Sequence, residues 1–321
     1  MQTLPRLNFA HLPTPIESLP RISAVLPNIK LLVKRDDQTG LALGGNKTRK
    51  LEFLLADAQA KGARLLITAG ALQSNHCRQT AAAAARMGFD CTLVLVGEPP
   101  AAASANLLLD QLLGAKIIWA SQERRDAALQ EAFEAARERD ARPYMIPYGG
   151  SNTTGAAAYV FAMQEFMAQN APADWIVFAS SSGGTQAGMA LGARLFGFKG
   201  QVLGISVDEP QTVLQERVAG LATATAAALG ENMTFKPGDI LVNAAYTGGG
   251  YGVMGQPETE AIQLFARKEG LLLDPVYTGR AAAGLLDLAH KGFFKPGASV
   301  LFWHTGGAPA LFAERYQGKL G

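Results

Sequence analysis

Short apolar runs alternate along the chain with longer segments in which apolar residues recur at helical spacing. The apolar runs have four to six residues, are rich in Val, Ile and Leu, and cover 30–34, 64–69, 91–96, 116–119, 175–179, 202–207 and 299–303. Such runs are typical of buried parallel strands. Helical patterns occupy 46–61, 75–87, 124–140, 186–196 and 257–269. The alternation predicts an α/β fold with parallel sheets.

Capping residues indicate where the first long helices begin and end. Asn46 is the predicted N-cap of the first, and Gly62 follows its expected end. Ser74 is the predicted N-cap of the next, which Gly88 would stop. No linker rich in Pro, Gly and Ser divides the chain. If the chain forms two domains, it therefore passes from one to the other more than once, and the domains are not consecutive segments of sequence.

Composition narrows the class of protein. With 48% hydrophobic and 17% charged residues among 321, the chain is too apolar for a disordered protein. The 29 basic and 27 acidic residues leave a net charge of +2, so the basic surface that nucleic acids and anionic membranes need is missing.

Cysteine usage and the N-terminus indicate the compartment. Cys77 and Cys91 form neither a disulfide framework nor a zinc pattern, so we expect no metal site. The N-terminus lacks a secretion pattern, and no uncharged stretch resembles a membrane span. We expect a cytoplasmic protein with a small-molecule ligand.

Five glycine-rich or polar loops follow predicted strands or precede predicted helices, at 43–47, 71–76, 180–185, 246–252 and 304–307. Ligands of parallel α/β sheets bind beyond the carboxyl ends of the strands. We therefore expect these loops to converge on one site.

The loop 180–185, with sequence SSSGGT, follows a strand and precedes a helix. Hydroxyl groups, glycines and the free N–H groups of a helix start form an anion cradle. The lysine of a nucleotide-binding P-loop is absent, which favours the monophosphate of a cofactor. The alternative is a tight strand-to-helix turn.

Lys47 follows the Gly44-Gly45 turn, one residue beyond Asn46, at a predicted helix N-terminus. The helix dipole disfavours a cation there and lowers the pKa of the amine where the site is dry. A neutral amine is what Schiff-base chemistry requires. The alternative is a solvated charged turn formed with Arg49 and Lys50.

Other candidates are less specific. Ser74 is explained by helix capping, and His76 is a lone histidine. Tyr251 and Tyr277 lie in turn-rich segments, where tyrosine also serves in packing. A Gly-x-Ser-x-Gly elbow is absent, so a hydrolase is weakly supported.

Together these segments resemble one family. In order, the chain carries LPTP (12–15), KRDD (34–37), GGNKTRKLE (44–52), QSNH (73–76), RPY (142–144), GGSN (149–152), GTQAG (184–188), LDPVYTG (273–279) and HTGGAPALF (304–312). Each motif is weak, but the series covers nearly the whole chain. It resembles the fold type II pyridoxal-phosphate enzymes of the D-cysteine desulfhydrase and 1-aminocyclopropane-1-carboxylate (ACC) deaminase family.

The resemblance implies roles for individual residues. Lys47 corresponds to the Schiff-base lysine, Lys50 to a second lysine near the phosphate, and Asn75 to the ligand of the ring 3′ oxygen. The implied phosphate loop is Ser182, Gly183, Gly184 and Thr185, and Thr305 would face the pyridine nitrogen. The implied catalytic group is Lys47, Ser74, Tyr251 and Tyr277, and the implied substrate contacts are Ser74, Asn75, His76 and Thr278.

The family also implies an architecture. Two open parallel-sheet domains are expected, a larger cofactor domain of residues 1–58 plus 159–321 and a smaller inserted domain of residues 59–158. A homodimer is expected as well.

Departures from ACC deaminase suggest the substrate. That enzyme has glutamate where this chain has Thr278, leucine where it has Thr305 and glutamine where it has His76; all three positions match D-cysteine desulfhydrase instead. The expected reaction is the elimination of sulfide and ammonia from D-cysteine to give pyruvate. L-cysteate sulfo-lyase, which shares the threonine before the last Gly-Gly, and then ACC deaminase are the alternatives. A non-catalytic pyridoxal-phosphate carrier or amino-acid sensor is the alternative from another class.

Overall fold

The computed structural model describes residues 2–320, which form two sheets flanked by helices. The strands are β1 (Ile16–Ser18), β2 (Lys30–Arg35), β3 (Leu65–Ala71), β4 (Asp90–Val96), β5 (Lys116–Ala120), β6 (Pro143–Met145), β7 (Trp175–Ser180), β8 (Gln201–Ser206), β9 (Leu241–Asn243) and β10 (Ser299–His304). The helices are α1 (Pro20–Ser23), α2 (Asn46–Ala60), α3 (Asn75–Met87), α4 (Ala105–Leu112), α5 (Arg125–Glu138), α6 (Thr153–Ala168), α7 (Gly184–Leu195), α8 (Gln211–Ala228), α9 (Gln256–Glu269) and α10 (Thr278–His290).

The larger sheet has the order β1-β2-β10-β7-β8-β9, and the smaller has the order β5-β4-β3-β6. All pairs are parallel except β1 with β2. The predicted α/β fold with parallel sheets is confirmed, and every predicted apolar run forms a strand. The strands that the pattern missed, β1, β6 and β9, have three residues each and lie at sheet edges. Three residues are too few to display a periodicity.

The strands of the smaller sheet come from residues 65–145, between β2 and β7 along the chain. The predicted domain boundaries at 58 and 158 fall inside α2 and α6, so each helix would belong partly to both domains. The exact division stays a prediction.

The start of α2 differs from the prediction in its cap. Asn46 is the first helical residue, and Gly45 is the N-cap. A Cβ at Gly45, which has φ +128°, would lie 2.5 Å from Gln79 Nε2, so a side chain does not fit there. The predicted cap Ser74 is confirmed, because its Oγ accepts a hydrogen bond from the Cys77 N–H at 3.2 Å.

Each sheet has its own apolar core. Val177, Ile205 and Phe302 are fully buried in the larger sheet, and Leu66 and Leu93 in the smaller one. These cores hold the carboxyl ends of the strands, and with them the site loops, in place. Among residues 2–320, no helix is long and apolar enough to cross a membrane, and no group of three or more His, Cys, Asp or Glu side chains could hold a metal ion.

Candidate active site

Loops from both sheets surround one cavity. The predicted site residues that line it are Lys47, Ser74, Asn75, His76, Ser182, Gly183, Thr185, Tyr277 and Thr305. Lys50, Gly184, Tyr251 and Thr278 are not part of its lining. Four of the five predicted loops therefore reach the cavity directly. The fifth, 246–252, reaches it through Tyr251, whose hydroxyl lies 2.7 Å from that of Tyr277.

Two lysines near the start of α2 lie side by side. Lys47 faces the cavity, Lys50 is fully buried behind it, and both Nζ atoms donate to the Gly149 carbonyl, at 3.2 and 3.1 Å. Burial lowers the pKa of Lys47 to about 8. Burial also lowers the pKa of Lys50 well below its ordinary value, and the charge of Lys47 adds to this effect. The alternative interpretation, a solvated charged turn, is therefore wrong. The site holds buried amines that lose a proton easily.

Gly149, which sequence reasoning left without a role, brings these amines together. Its φ is +65°, and a Cβ would stand 2.5 Å from Ser182 Oγ and 3.5 Å from Lys47 Nζ. Only glycine allows this approach. The signal in the sequence was the Gly149-Gly150 pair of the GGSN motif.

The loop before α7 has the donors of an anion site. Ser151 Oγ accepts from the Gly184 N–H at 3.2 Å, lies 2.8 Å from Ser182 Oγ, and receives Lys50 Nζ at 3.4 Å. The helix N-terminus adds its dipole. Neither Lys47 nor Lys50 has a carboxylate within ion-pair distance in the described structure. The buried amine of Lys50, the helix start and the neighbouring hydroxyls fit the phosphate of a bound cofactor, with the Lys47 amine beside them.

Thr185 provides a test of this anion site. Thr185→Val removes a hydroxyl at nearly constant volume, and a hydrogen bond to a charged group contributes roughly 1.5–3 kcal/mol. We expect the dissociation constant of pyridoxal phosphate to rise about tenfold to a hundredfold. Fluorescence titration of the apoprotein measures it, with Thr259→Val, on α9, as the matched control. If Thr185→Val binds pyridoxal phosphate as tightly as the wild type, the loop is only a strand-to-helix turn and not an anion site.

The two threonines that distinguish the chain from ACC deaminase have different surroundings. Thr305 is buried in the wall of the cavity. Thr278 is fully buried, and its hydroxyl donates to Asp274 Oδ1 at 2.7 Å. The structure therefore does not bring Thr278 to the cavity wall, and its predicted substrate contact stays a prediction.

Asp274 is a buried carboxylate that sequence reasoning missed. Besides the Thr278 hydroxyl, it accepts the N–H groups of Val276, Tyr277 and Thr278 at 2.7–3.0 Å. These bonds shape the turn that carries Tyr277 and occupy both carboxylate oxygens. The signal available in the sequence was the Asp-Pro turn of the LDPVYTG motif.

Tyr251 and Tyr277 form a hydroxyl pair at the cavity. Their rings meet edge to face with centroids 5.9 Å apart. Burial raises the pKa of both phenols well above the ordinary value, so both stay protonated. Arg280 holds the loop of Tyr251 by donating to the carbonyls of Gly250 and Val253 at 3.0 and 2.7 Å. The pair can thus pass a proton through a fixed geometry.

The ring nitrogen of His76 that has no hydrogen-bond partner among the described residues is an acceptor. Thr68 spends its hydroxyl proton on the Ile146 carbonyl at 2.8 Å, so at 3.0 Å it can only accept from His76 Nε2. Nδ1 therefore carries no proton, and it is buried without a partner among the described residues. Burial, followed by the charges of Lys47 and Lys50, lowers the pKa of His76 well below its ordinary value.

A buried ionic network supports α2 from behind. The Asp36 carboxylate accepts from Arg49 Nη2 at 2.8 Å, Tyr159 at 2.6 Å and Trp303 Nε1 at 2.7 Å. Glu165 binds Arg49 at 2.9 Å and Lys34 at 2.5 Å. The motifs KRDD and TRK supply three of these residues, although sequence reasoning assigned them no contact. The network anchors the helix that carries Lys47.

Comparison with known proteins agrees with this site. The family described as "Pyridoxal-phosphate dependent enzyme" matches residues 7–306. The chain therefore belongs to the pyridoxal-phosphate dependent enzyme family, and its cofactor is pyridoxal phosphate.

A closer relationship appears among solved structures. The crystal structure of an ACC deaminase homologue is 38% identical with a TM-score of 0.90, covering 99% of this chain and 95% of that one. The family of ACC deaminase and D-cysteine desulfhydrase, inferred from the motifs, is thereby confirmed.

More distant structures show the fold alone. A hydrogen sulfide-producing enzyme from Fusobacterium nucleatum is 15% identical with a TM-score of 0.66, covering 92% of this chain and 95% of that one. O-ureido-L-serine synthase is 18% identical with a TM-score of 0.66, covering 95% and 92%.

Proposed function

We propose that the protein eliminates sulfide from D-cysteine, after which water replaces the amino nitrogen, so that pyruvate and ammonia are released. One observation carries this proposal: the amine of Lys47 shares a cavity with the hydroxyl of Thr305, and no carboxylate lines that cavity among the described residues. Lys47 can act as a base, while a cofactor ring that faces Thr305 would accept electrons only weakly. This combination suits a substrate with a good leaving group.

The cofactor would be held by residues whose chemistry matches its parts. Lys50, Ser182 and Thr185 would bind the phosphate, Lys47 would bond covalently to the aldehyde carbon, and Asn75 would donate to the ring oxygen. When bound, pyridoxal phosphate supplies an electron sink for the pair left at the substrate Cα. Lys47, freed by the substrate amine, would take the α-proton, since burial favours its neutral form.

The strength of the electron sink depends on the residue facing the ring nitrogen. The Thr305 hydroxyl can hydrogen-bond that nitrogen but supplies no negative charge to stabilise its protonated form. The Asp274 carboxylate does not line this cavity, and both of its oxygens accept hydrogen bonds from the turn that follows it. A moderate sink suffices for thiolate departure. ACC lacks a β-leaving group, so opening its ring requires a stronger one.

The remaining groups would bind and protonate the substrate. Ser74 Oγ accepts the Cys77 N–H, so its own proton is available to a carboxylate at the start of α3. Asn75 and His76 would contact the substrate beside it. Tyr277, relayed by Tyr251, would donate a proton to the departing sulfur.

L-cysteate is less well matched, because its sulfonate needs a free cation. The cleft beside the cavity contains Arg125 and Arg217. Arg125 is paired with Asp126 at 2.8 Å and Arg217 with Glu209 at 2.6 Å. ACC deamination is the second candidate, because the 38% identical structure is titled an ACC deaminase homologue. A carrier or sensor is disfavoured, since binding alone needs no base such as Lys47.

The substrate assay uses the holoenzyme with D-cysteine, L-cysteate and ACC in parallel. We expect sulfide and pyruvate from D-cysteine and negligible ammonia from ACC, for the electronic reason above. Keto acid, sulfide, sulfite and ammonia are measured separately. Faster release from L-cysteate would change the assigned substrate. A cofactor absorption band that no amino acid alters would support the carrier instead.

Variants at the two threonines extend this test. Thr305→Leu is expected to weaken D-cysteine turnover by itself, because Thr305 lines the cavity. Thr278→Glu combined with Thr305→Leu is expected to shift the ratio of kcat/KM values toward ACC. Thr278→Glu alone is the control. It shows the effect of placing a second carboxylate beside buried Asp274 without the change at Thr305. Efficient ACC turnover by the wild type would contradict the role given to the threonines.

We also propose a homodimer, for which the family resemblance is the support, and a cytoplasmic location, for which the cysteine usage is the support. Size-exclusion chromatography with light scattering measures the mass in solution. A mass equal to one 33.8 kDa chain would contradict the dimer.

A further inference from the structure

The cavity loop that contains Ser74 and Asn75 is held from outside by the first residues of α4. Asn106 donates from its backbone N–H to Gln73 Oε1 at 2.8 Å, and its side-chain Nδ2 donates to the Gln73 carbonyl at 2.9 Å. Gln73 Nε2 donates in return to the Ser104 carbonyl at 3.1 Å. Asn106 is fully buried. A short segment 31–33 residues away in sequence thus clamps the loop.

A fourth bond of this clamp reaches Asn75. Asn106 Nδ2 also donates to Asn75 Oδ1 at 2.9 Å. The Gln73 carbonyl can only accept, so the Asn106 atom facing it must be the amide nitrogen. That nitrogen has a second hydrogen, so the Asn75 atom facing it must be the oxygen. The orientation of both amides is therefore determined by one backbone carbonyl.

The orientation of the Asn75 amide places its nitrogen on the side away from Asn106. Its nitrogen points toward Gly307, where an added Cβ would come within 2.8 Å of Asn75 Nδ2. Asn75 and the neighbouring Gly306 line the cavity. Asn75 therefore offers the cavity a hydrogen-bond donor and keeps its acceptor turned away.

The backbone beside Asn106 supports a functional reason for this placement. Ala105 has φ +52°, in the left-handed region that L-residues other than Asn and Asp rarely adopt. Ser104 is the N-cap of α4, but its side chain makes no capping hydrogen bond. The start of α4 is thus shaped by the clamp and not by ordinary helix capping.

We propose that Asn106 is a positioning residue, which holds the Asn75 amide so that its N–H faces the ring oxygen of pyridoxal phosphate. This inference rests on the proposed role of Asn75. Nothing in the chemistry of Asn106 requires it to touch the cofactor. Its effect passes through one hydrogen bond.

Asn106→Asp tests the proposal, because a carboxylate of the same shape cannot donate to Asn75 Oδ1. We expect the dissociation constant of pyridoxal phosphate to rise about threefold to tenfold, as for the loss of one net hydrogen bond. We also expect the pH midpoint of the visible cofactor band to rise, because a donor favours the form with more negative charge on the ring oxygen. Ser104→Ala, which keeps the backbone carbonyl of the clamp, should change neither quantity.

A double-mutant cycle separates this inference from the proposed function. If Asn106 acts through Asn75, Asn106→Asp should have no further effect on either quantity in an Asn75→Ala background. Equal effects in both backgrounds, or unchanged affinity and midpoint with only lowered stability to urea, would overturn the positioning role. If Asn75→Ala alone changes neither quantity, the error lies in the role of Asn75. Should Asn106→Asp fail to fold, Asn106→Ala enters the same cycle.

Discussion

Lys47→Ala is expected to lower kcat for D-cysteine by about a hundredfold to ten-thousandfold, the range attributed to a positioned general base. The same change removes the covalent link to the cofactor, so the visible band of bound pyridoxal phosphate should disappear. The fold is expected to persist, because Lys47 faces a cavity and its Nζ donates to a backbone carbonyl, that of Gly149, instead of forming a buried ion pair. Steady-state kinetics, the absorption spectrum and circular dichroism check the three statements.

Lys61→Ala is the matched control, since Lys61 follows the last residue of α2 and is exposed. Its kinetics should equal those of the wild type. In the wild-type apoprotein, covalent attachment of the cofactor requires the neutral amine. Because burial lowers the pKa of Lys47 to about 8, the attachment rate should rise with pH and level off above that value. Substantial activity in Lys47→Ala would transfer the role to Lys50.

Asp36→Ala is expected to lower the free energy of unfolding by about 3–5 kcal/mol, the cost of breaking a buried ion pair. The change removes the acceptor for Arg49, Tyr159 and Trp303, and leaves buried Arg49 and Lys34 with Glu165 as their carboxylate partner. Urea denaturation followed by circular dichroism measures the difference.

The pH dependence of this effect has a definite sign. Burial raises the pKa of Asp36, but the Arg49 guanidinium, the Lys34 ammonium and the Tyr159 hydroxyl together outweigh burial and hold the pKa below its ordinary value. The stabilisation is therefore complete above the ordinary aspartate pKa and is lost as the pH falls through the lowered one. Glu131→Ala, in an exposed pair with Arg124, should change stability by about 1 kcal/mol or less. An equally small effect of Asp36→Ala would contradict the anchoring role of the network.

The strands and long helices were predictable because each depends on neighbours in sequence. β3 and β4 have seven residues each, mostly buried, and α3 ends at Gly88 in the left-handed conformation, as its glycine indicated. The turn before α2 was not predictable. Leu41, Ala42 and Leu43 all have positive φ, which L-residues disfavour. Arg78 of α3 donates to the carbonyls of Ala42 and Gly44 and supports this turn.

The candidate site also contains features that were predictable from the sequence and features that were not. Lys47 was identifiable because a lysine after two glycines at a helix start is unusual in itself. That Thr305 would line the cavity while Thr278 turned to Asp274 could not be read from the motifs. Thr278 is the first residue of α10 and Thr305 directly follows β10, so the direction of each side chain depends on how that element packs against the rest of the chain.

Local patterns in the sequence predict the alternation of strands and helices, the glycine loops at the strand ends and the order of motifs that identifies the family. Which charges are buried together depends on how the chain packs. Asp36 meets Trp303 across 267 residues, and Lys47 meets the Gly149 carbonyl across 102. Contacts of this kind form when separate elements pack. The low pKa of Lys47 and the orientation of Asn75 arise there, since desolvation and hydrogen-bond geometry belong to the packed chain.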